Sequence, residues 1–447
     1  MAYLPHTDED RRLMLQAIGV ARLDDLYEAV PAVHRFPELD LPDAISELEV
    51  AAELQALAEA NLDVRHNACF LGAGAYHHFI PSVVDAILRR GEFYTAYTPY
   101  QPEVSQGTLQ ATFEYQSLIC NLTGMDVSNA SHYDGATALA EAVILALNHH
   151  RGKRHKVILS PAVHPHYRET VRTYMQGLDL QIVGDEDPRR DAAELARRID
   201  GDTAMVAVQY PDFFGTIVDF TALGQAAHTA GALLCVVVNP LALGLLKPPS
   251  AFDADVVVGD GQPLGIPLSY GGPHLGLFTT KQEYVRKMAG RLVGETVDSR
   301  GQRGYVLTLT PREQHIRREK ATSNICTNVA LMALASAVYL SVTGRQGLRR
   351  VAELCYHKAH YAAAEIARLP GFRLWNQGAF FHEFVVACPR PVPEINEHLL
   401  EHEILGGYDL GQVHPSLAGH MLLAVTEMNT KDEIDDLVAG LEEATHA

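Results

Sequence analysis

The stretch GDGQPLGIPLSYGGPHLG, residues 259–276, follows a β-branched run and holds nine glycines and prolines in eighteen residues. That density implies tight backbone shaping around a ligand or a neighbouring chain. The stretch contains Gln262 but no lysine. Lys247 lies in the preceding connection and Lys281 after the next strand, and both are expected to be solvated. Asn239 closes the strongest apolar run, ALLCVVVN. It either turns the chain ahead of Pro240 or points into a ligand cleft, where an Asp would keep a pyridine nitrogen protonated better than a neutral Asn. In SHYDGAT, 131–137, Gly135 precedes a helix starting near Thr137 whose free N–H groups suit an anion such as a phosphate. The same glycine serves equally as punctuation. REKATSNICTN, 318–328, either caps the long helix after it through Ser323 or Asn324, or sets Asn and Thr groups at a cleft rim.

Other chemistries fail on spacing. No GxGxxG follows the first strand and no GxxxxGKS/T occurs, which excludes dinucleotide and P-loop readings. GAGAY at 72–76 is glycine-rich but runs into aromatics. HExxH and GxSxG are missing, and the HPH of His164 and His166 has no partner nearby, so no metal site is expected.

The elements that must position these residues come next. With 447 residues and 47% hydrophobic content, the chain exceeds the size of one core. A net charge of −19 argues against nucleic acid and anionic lipid. No apolar run reaches membrane length, and the acidic start MAYLPHTDED does not read as a signal peptide. The six cysteines, Cys120, Cys235 and Cys388 among them in apolar or helical runs, read as core thiols in a reducing compartment, so the cytoplasm is expected.

Residues 1–65 read as a helical arm, with one helix from Asp43 to Ala60 capped by Asp43. Residues 67–106 are irregular and aromatic, interrupted by Pro99 and Pro102, after a helix that opens at Pro81. From Gly107 the chain alternates helices with short β-branched strands at 156–160, 179–184, 203–211, 232–239, 254–260 and 274–280. That pattern predicts an α/β domain with a mostly parallel sheet over residues 66–330. A helical stretch over 329–370 with breaks at Gly344 and Gly347 leads into a small α+β domain, 331–447.

Several of these segments resemble a known family. FLGAGAYHHFIPSVVDAI, FYTAYTPYQPEVSQGTLQATFEYQ, LTGMDVSNASHYDGATALAEA, GIPLSYGGPHLG, RGYVLTLTPREQHIRREKATSNICT and LLAVTEMNTKDEIDDLV look like the P-protein of the glycine cleavage system. The likeness is to the first subunit of its split, two-chain form. It implies the aspartate-aminotransferase-like (fold type I) pyridoxal-phosphate transferase fold. In that fold the lysine that holds the cofactor lies just after the strand matching ADVVVGD, where this chain has Gln262, and the aspartate facing the pyridine nitrogen matches Asn239. Neither substitute can do the original task.

The resemblance therefore implies a vestigial cleft involving His132, Asp134, Thr137, Asn239 and Gln262, with no pyridoxal phosphate held covalently here. It implies a lysine-bearing second subunit that carries the cofactor, in a two-plus-two heterotetramer. It also implies glycine as substrate, a lipoylated H-protein as acceptor, and an oxidoreductase class for the whole complex. From this chain, Tyr97, Tyr100 and Gln106, supported by Glu103 and Ser105, are expected to reach the partner's pocket. Ser323, Asn324 and Cys326 belong to a family motif without an assignable role. The runner-up is a purely structural docking subunit. A further alternative is a stand-alone pyridoxal-phosphate enzyme using Lys247 or Lys281.

Overall fold

A computed structural model describes residues 5–310, 313–325, 329–376 and 378–445. The chain divides into two compact units, Met1–Leu62 and Asp63–Ala447.

The first unit has helices Asp8–Ile18 and Glu47–Glu59 joined by short 3-10 turns. The second helix starts later than expected because Ser46, not Asp43, caps it. Ser46 and Glu49 form a reciprocal capping box, which satisfies two otherwise orphaned N–H groups. None of the four helices buries a residue. Val50, Leu54 and Leu57, spaced i, i+4, i+7, form an apolar stripe open to solvent.

The second unit is built on a seven-stranded sheet. Its strands are β1 (Val127–Ser128), β2 (Lys156–Leu159), β3 (Gln181–Val183), β4 (Thr203–Tyr210), β5 (Leu233–Val238), β6 (Val256–Asp260) and β7 (Gly276–Thr280). The order is β1-β7-β6-β5-β4-β2-β3; β2 to β6 run parallel, and β7 and β1 are antiparallel to their neighbours. Every residue of β5 and β6 is buried, so both sheet faces are covered, which is why these strands are continuously apolar in sequence. On one side Ala138, Val143 and Leu145 of the helix Gly135–His149 pack into the core; on the other lie Leu223 and Phe252.

The hairpin β8 (Leu292–Val297) and β9 (Arg303–Thr308) has no counterpart among the expected strands. Only the start of β8 is buried, so its sequence lacks the apolar run that marks β5. A 37-residue helix, Ala330–Ile366, follows. Gly344 kinks it at φ 57°, whereas Gly347 stays helical, so only one of the two expected breaks occurs. This helix has no side-chain cap. Ser323 bonds elsewhere, which overturns the expectation that Ser323 or Asn324 caps it; Cys326 lies outside the described residues. The C-terminal strands β10 (Arg373–Leu374), β11 (Glu383–Ala387), β12 (Tyr408–Asp409) and β13 (His420–Ala424) form an antiparallel sheet ordered β10-β11-β13-β12. Helices Val392–Glu401 and Lys431–Glu443 pack against it through Ile395, Leu399, Leu437 and Leu441. Among the described residues, no helix is long and apolar enough to cross a membrane.

Candidate functional site

The carboxyl ends of β5 and β6 deliver Asn239 and the segment Asp260-Gly261-Gln262 to one cleft, where an open parallel sheet places its ligands. Gln262 is 1% exposed, with both ends of its amide bonded to the protein. Its Oε1 accepts from Tyr76 N at 2.9 Å, and its Nε2 donates to Tyr76 O and Ile266 O, both at 2.9 Å. The residue thus clamps the GAGAY loop onto the strand end, and that loop is part of the cleft wall after all.

Asp260, which no sequence pattern singled out, lies between two cationic or dipolar groups. Its Oδ2 accepts from Gly135 N at 3.1 Å, at the start of the helix Gly135–His149, and its Oδ1 from Gln262 N at 2.9 Å. His274 Nδ1 lies 3.7 Å away, and the Asp260 carboxylate raises that imidazole's pKa. Thr137 N donates to Asp134 Oδ1 at 2.7 Å in a capping box. The N–H groups expected to be free for a phosphate are therefore taken by the protein's own carboxylates at Gly135 and Thr137. A Cβ at Gly135 would collide with Tyr167 Oη, so only glycine allows this approach. The remaining cavity is about 30 Å³, lined by Tyr76, His164, Tyr167, Asn239, Asp260 and Pro263.

Asn239 acts as a turn former, its Oδ1 accepting from Leu241 N at 3.0 Å; it also lines the small cavity, and its Nδ2 lies 3.5 Å from His382 Nε2. His132 is fully buried under the sheet edge, 2.9 Å from Asn129 Nδ2 and packed on Phe278, and does not line the cleft. Lys247 is half-exposed and paired with Asp219. Lys281 is not solvated as expected: it is mostly covered and bridges Asp253 and Asp255.

Behind the cleft, Glu383 accepts from Tyr76 Oη and Ala73 N, both at 2.8 Å. The lone carboxylate in the apolar run FFHEFVVA was the available sequence signal. Burial pushes its pKa up to about 7, against these two bonds. The native state thus keeps a proton that the unfolded chain releases near 4.5. Stability is fully present below about 4.5 and falls by about 3 kcal/mol as the pH rises through about 7. Glu383→Gln is expected to remove this share of the slope, so that the difference between urea midpoints at about pH 5 and about pH 8 narrows, the raised carboxyls of Glu141 and Asp212 keeping the rest. An undiminished difference would show that Glu383 is not the titrating group.

The tyrosine motif lies at a different place. Tyr97 and Tyr100 are 77% and 52% exposed, and Glu103 is exposed. Arg291 Nη2 donates to Tyr100 Oη at 3.3 Å, with its guanidinium carbon 5.7 Å from the ring centre. Gln106 is exposed but tied down: its amide exchanges 2.9 Å bonds with Tyr305 N and O and donates to Pro102 O, pinning the segment to β9. Ser105 precedes the helix Gln106–Thr123 without capping it. Tyr97, Pro99, Thr112, Arg291, Leu307 and Met332 border a cavity of about 270 Å³ that shares no lining residue with the cleft. Ser323 Oγ donates to the buried Glu141 at 2.8 Å, and burial raises that carboxyl to about 7.

The family model for the glycine cleavage system P-protein matches residues 1–441. The chain belongs to that family. It is 57% identical over 448 residues to the probable glycine dehydrogenase (decarboxylating) subunit 1 of Thermomicrobium roseum, covering 100% of both chains. The protein of the same description from Geobacillus kaustophilus is 54% identical over 98% of each. A solved structure of glycine decarboxylase (P-protein) of the glycine cleavage system, in inhibitor-bound form, superposes with a TM-score of 0.91 at 44% identity, over 99% of this chain and 100% of that one. A sphingosine-1-phosphate lyase from Burkholderia pseudomallei (TM-score 0.65, 17% identity, 93% and 94% covered) shares the fold alone. The fold is that of the type I pyridoxal-phosphate enzymes.

Pyridoxal phosphate does not fit the cleft of this P-protein chain. The space is far below the roughly 300 Å³ or more of sites that enclose a small molecule. No lysine lines it, both N–H donors of the Gln262 amide are taken by Tyr76 O and Ile266 O, and the Gly135 N–H faces Asp260 rather than a phosphate.

Proposed function

We propose that this chain is the first subunit of a two-subunit glycine decarboxylase, supplying interface and pocket wall to a second subunit that holds the cofactor. What supports this is Gln262, the position that the family resemblance matches to the fold's lysine, which is buried at the strand end and bonded to Tyr76 and Ile266. The relatives named as subunit 1 imply a partner. We take that partner to be a lysine-bearing chain of the same fold, two of each forming a heterotetramer. The complex releases the carboxylate of glycine as carbon dioxide and passes the aminomethyl group to the lipoyl arm of the H-protein. Pyridoxal phosphate, bound covalently by the partner, supplies the electron sink for that chemistry. The cysteines described are all unpaired, which suits the cytoplasm.

Two surfaces of this chain are suited to the partner. The first is the N-terminal unit, whose helix Glu47–Glu59 leaves Val50, Leu54 and Leu57 exposed along one stripe. The second is the tyrosine motif, where Tyr97 and Tyr100 stand exposed on a segment anchored by Gln106. The closed cleft at Asn239 and Gln262 acts as internal scaffold, with Asp134 and Thr137 at the neighbouring helix start and His132 buried outside it.

Reconstitution tests this reading: neither purified chain alone is expected to release carbon dioxide from glycine, whereas the mixture does. Decarboxylation by this chain alone would refute it. Tyr100→Phe removes the hydroxyl bonded to Arg291 and is expected to lower kcat about tenfold or more in a fully assembled complex. Unchanged turnover would assign Tyr100 to assembly alone.

A further inference from the structure

On the small C-terminal domain, away from the cleft, His398 and His402 lie one turn apart on the helix Val392–Glu401 and its C-cap. Their side chains share one face. Glu443, the last residue of the helix Lys431–Glu443, comes up between them. His398 Nε2 and His402 Nε2 each lie 3.7 Å from Glu443 Oε2. That gap is too long for a hydrogen bond. It is close to the roughly 3.3–3.5 Å that separates N and O ligands around a tetrahedral zinc with bonds of about 2.0–2.2 Å. All three ligand atoms lie within 4.8 Å of one another.

Three further features fit a built site. His398 Nε2 is sealed from solvent and has no hydrogen-bond partner among the described residues. Glu401 Oε2 lies 3.9 Å from the opposite nitrogen, Nδ1. At that distance the carboxylate makes no hydrogen bond, but its negative charge on the Nδ1 side suits a proton there and leaves the Nε2 lone pair to face Glu443. The two helices also pack closely here: a Cβ at Gly440 would come within 2.8 Å of Leu399 Cδ2, beside the ligands. His402 and Glu443 are exposed, leaving a solvent-facing position for a fourth ligand.

A second cluster, His78, Cys355 and Glu427, differs in the decisive respect. There His78 Nδ1 already bonds Glu427 directly at 2.7 Å and Cys355 Sγ donates to the same oxygen at 3.3 Å, so the contacts are closed without an ion.

We propose that His398, His402 and Glu443 bind a borderline divalent cation, zinc foremost, which clips the two outer helices of the small domain together. The test uses the full-length chain, free of any tag and stripped with EDTA. It is expected to take up one equivalent of Zn²⁺. With Co²⁺ it is expected to give the visible bands of a low-coordinate nitrogen–oxygen site without thiolate charge transfer. His398→Gln and Glu443→Gln should each weaken binding by about a hundredfold or more, above the roughly 10–100-fold that loss of an outer partner costs. Both changes sit at the surface ends of helices, and circular dichroism checks that they leave the fold intact. Cys355→Ser should bind as the parent does. The proposal fails if the chain takes up no stoichiometric Zn²⁺, or if both variants bind as tightly as the parent. It also fails if the Co²⁺ spectrum carries a thiolate band that Cys355→Ser removes, which would move the ion to the buried cluster.

Discussion

Replacing Val50, Leu54 and Leu57 together by aspartate is expected to weaken binding of the second subunit by about a thousandfold or more, while the rest of the chain stays folded. Each of these side chains is already open to solvent in the single chain, so the substitutions remove no core packing. They do remove the stripe that an interface would cover. Burying three such side chains contributes about 1.5 kcal/mol or more apiece, about 4–5 kcal/mol together, and every 1.4 kcal/mol or so is a factor of ten in affinity. Aspartate adds the cost of desolvating a charge. Sedimentation of mixed subunits measures the affinity, and circular dichroism checks the fold. Tight binding by the triple variant would remove the arm from the interface.

The second large effect concerns the cleft. Gln262→Lys is expected to destabilise the chain by about 3 kcal/mol or more and to leave it without bound cofactor. A lysine can donate to Tyr76 O or Ile266 O, but it cannot accept from Tyr76 N, which the glutamine oxygen now satisfies. One buried N–H is orphaned at about 1–3 kcal/mol, and an ammonium is buried in a space of water size. Restoring the residue type therefore does not restore the site. The walls have closed around its replacement, with Asp260 on the Gly135 N–H and Tyr167 against the same glycine. Urea unfolding gives the stability, and absorption after adding pyridoxal phosphate gives the occupancy. Native-like stability together with an imine band would contradict this account.

Much of the frame was readable from local pattern. Runs such as LLCVVV are buried on both faces, and Gly124 closes its helix in the left-handed conformation. Errors arose where two local signals competed. Ser46 with Glu49 outcompeted Asp43 as a cap because only that pair bonds reciprocally, and Gly347 stayed helical because one kink at Gly344 redirects the chain. The hairpin Leu292–Thr308 leaves no apolar run in the sequence because most of it is only partly buried or exposed.

At the site, Gln262 was legible as a location but its partners were not. Tyr76 is 186 residues away from it, Glu383 is 307 from Tyr76, and Asp260 is 125 from Gly135. Such pairings follow from the sheet order and leave no trace in spacing. His398 and His402 are the opposite case: the spacing was visible, but the third group, Glu443, came only from helix packing.

The most direct test of the central claim is to mix this chain with its second subunit and pyridoxal phosphate, reduce with borohydride and find the pyridoxyl group by mass spectrometry. The account predicts one pyridoxyl lysine on the second subunit and none on this chain. A stoichiometric adduct on this chain, at Lys247, Lys281 or any other lysine, would contradict it.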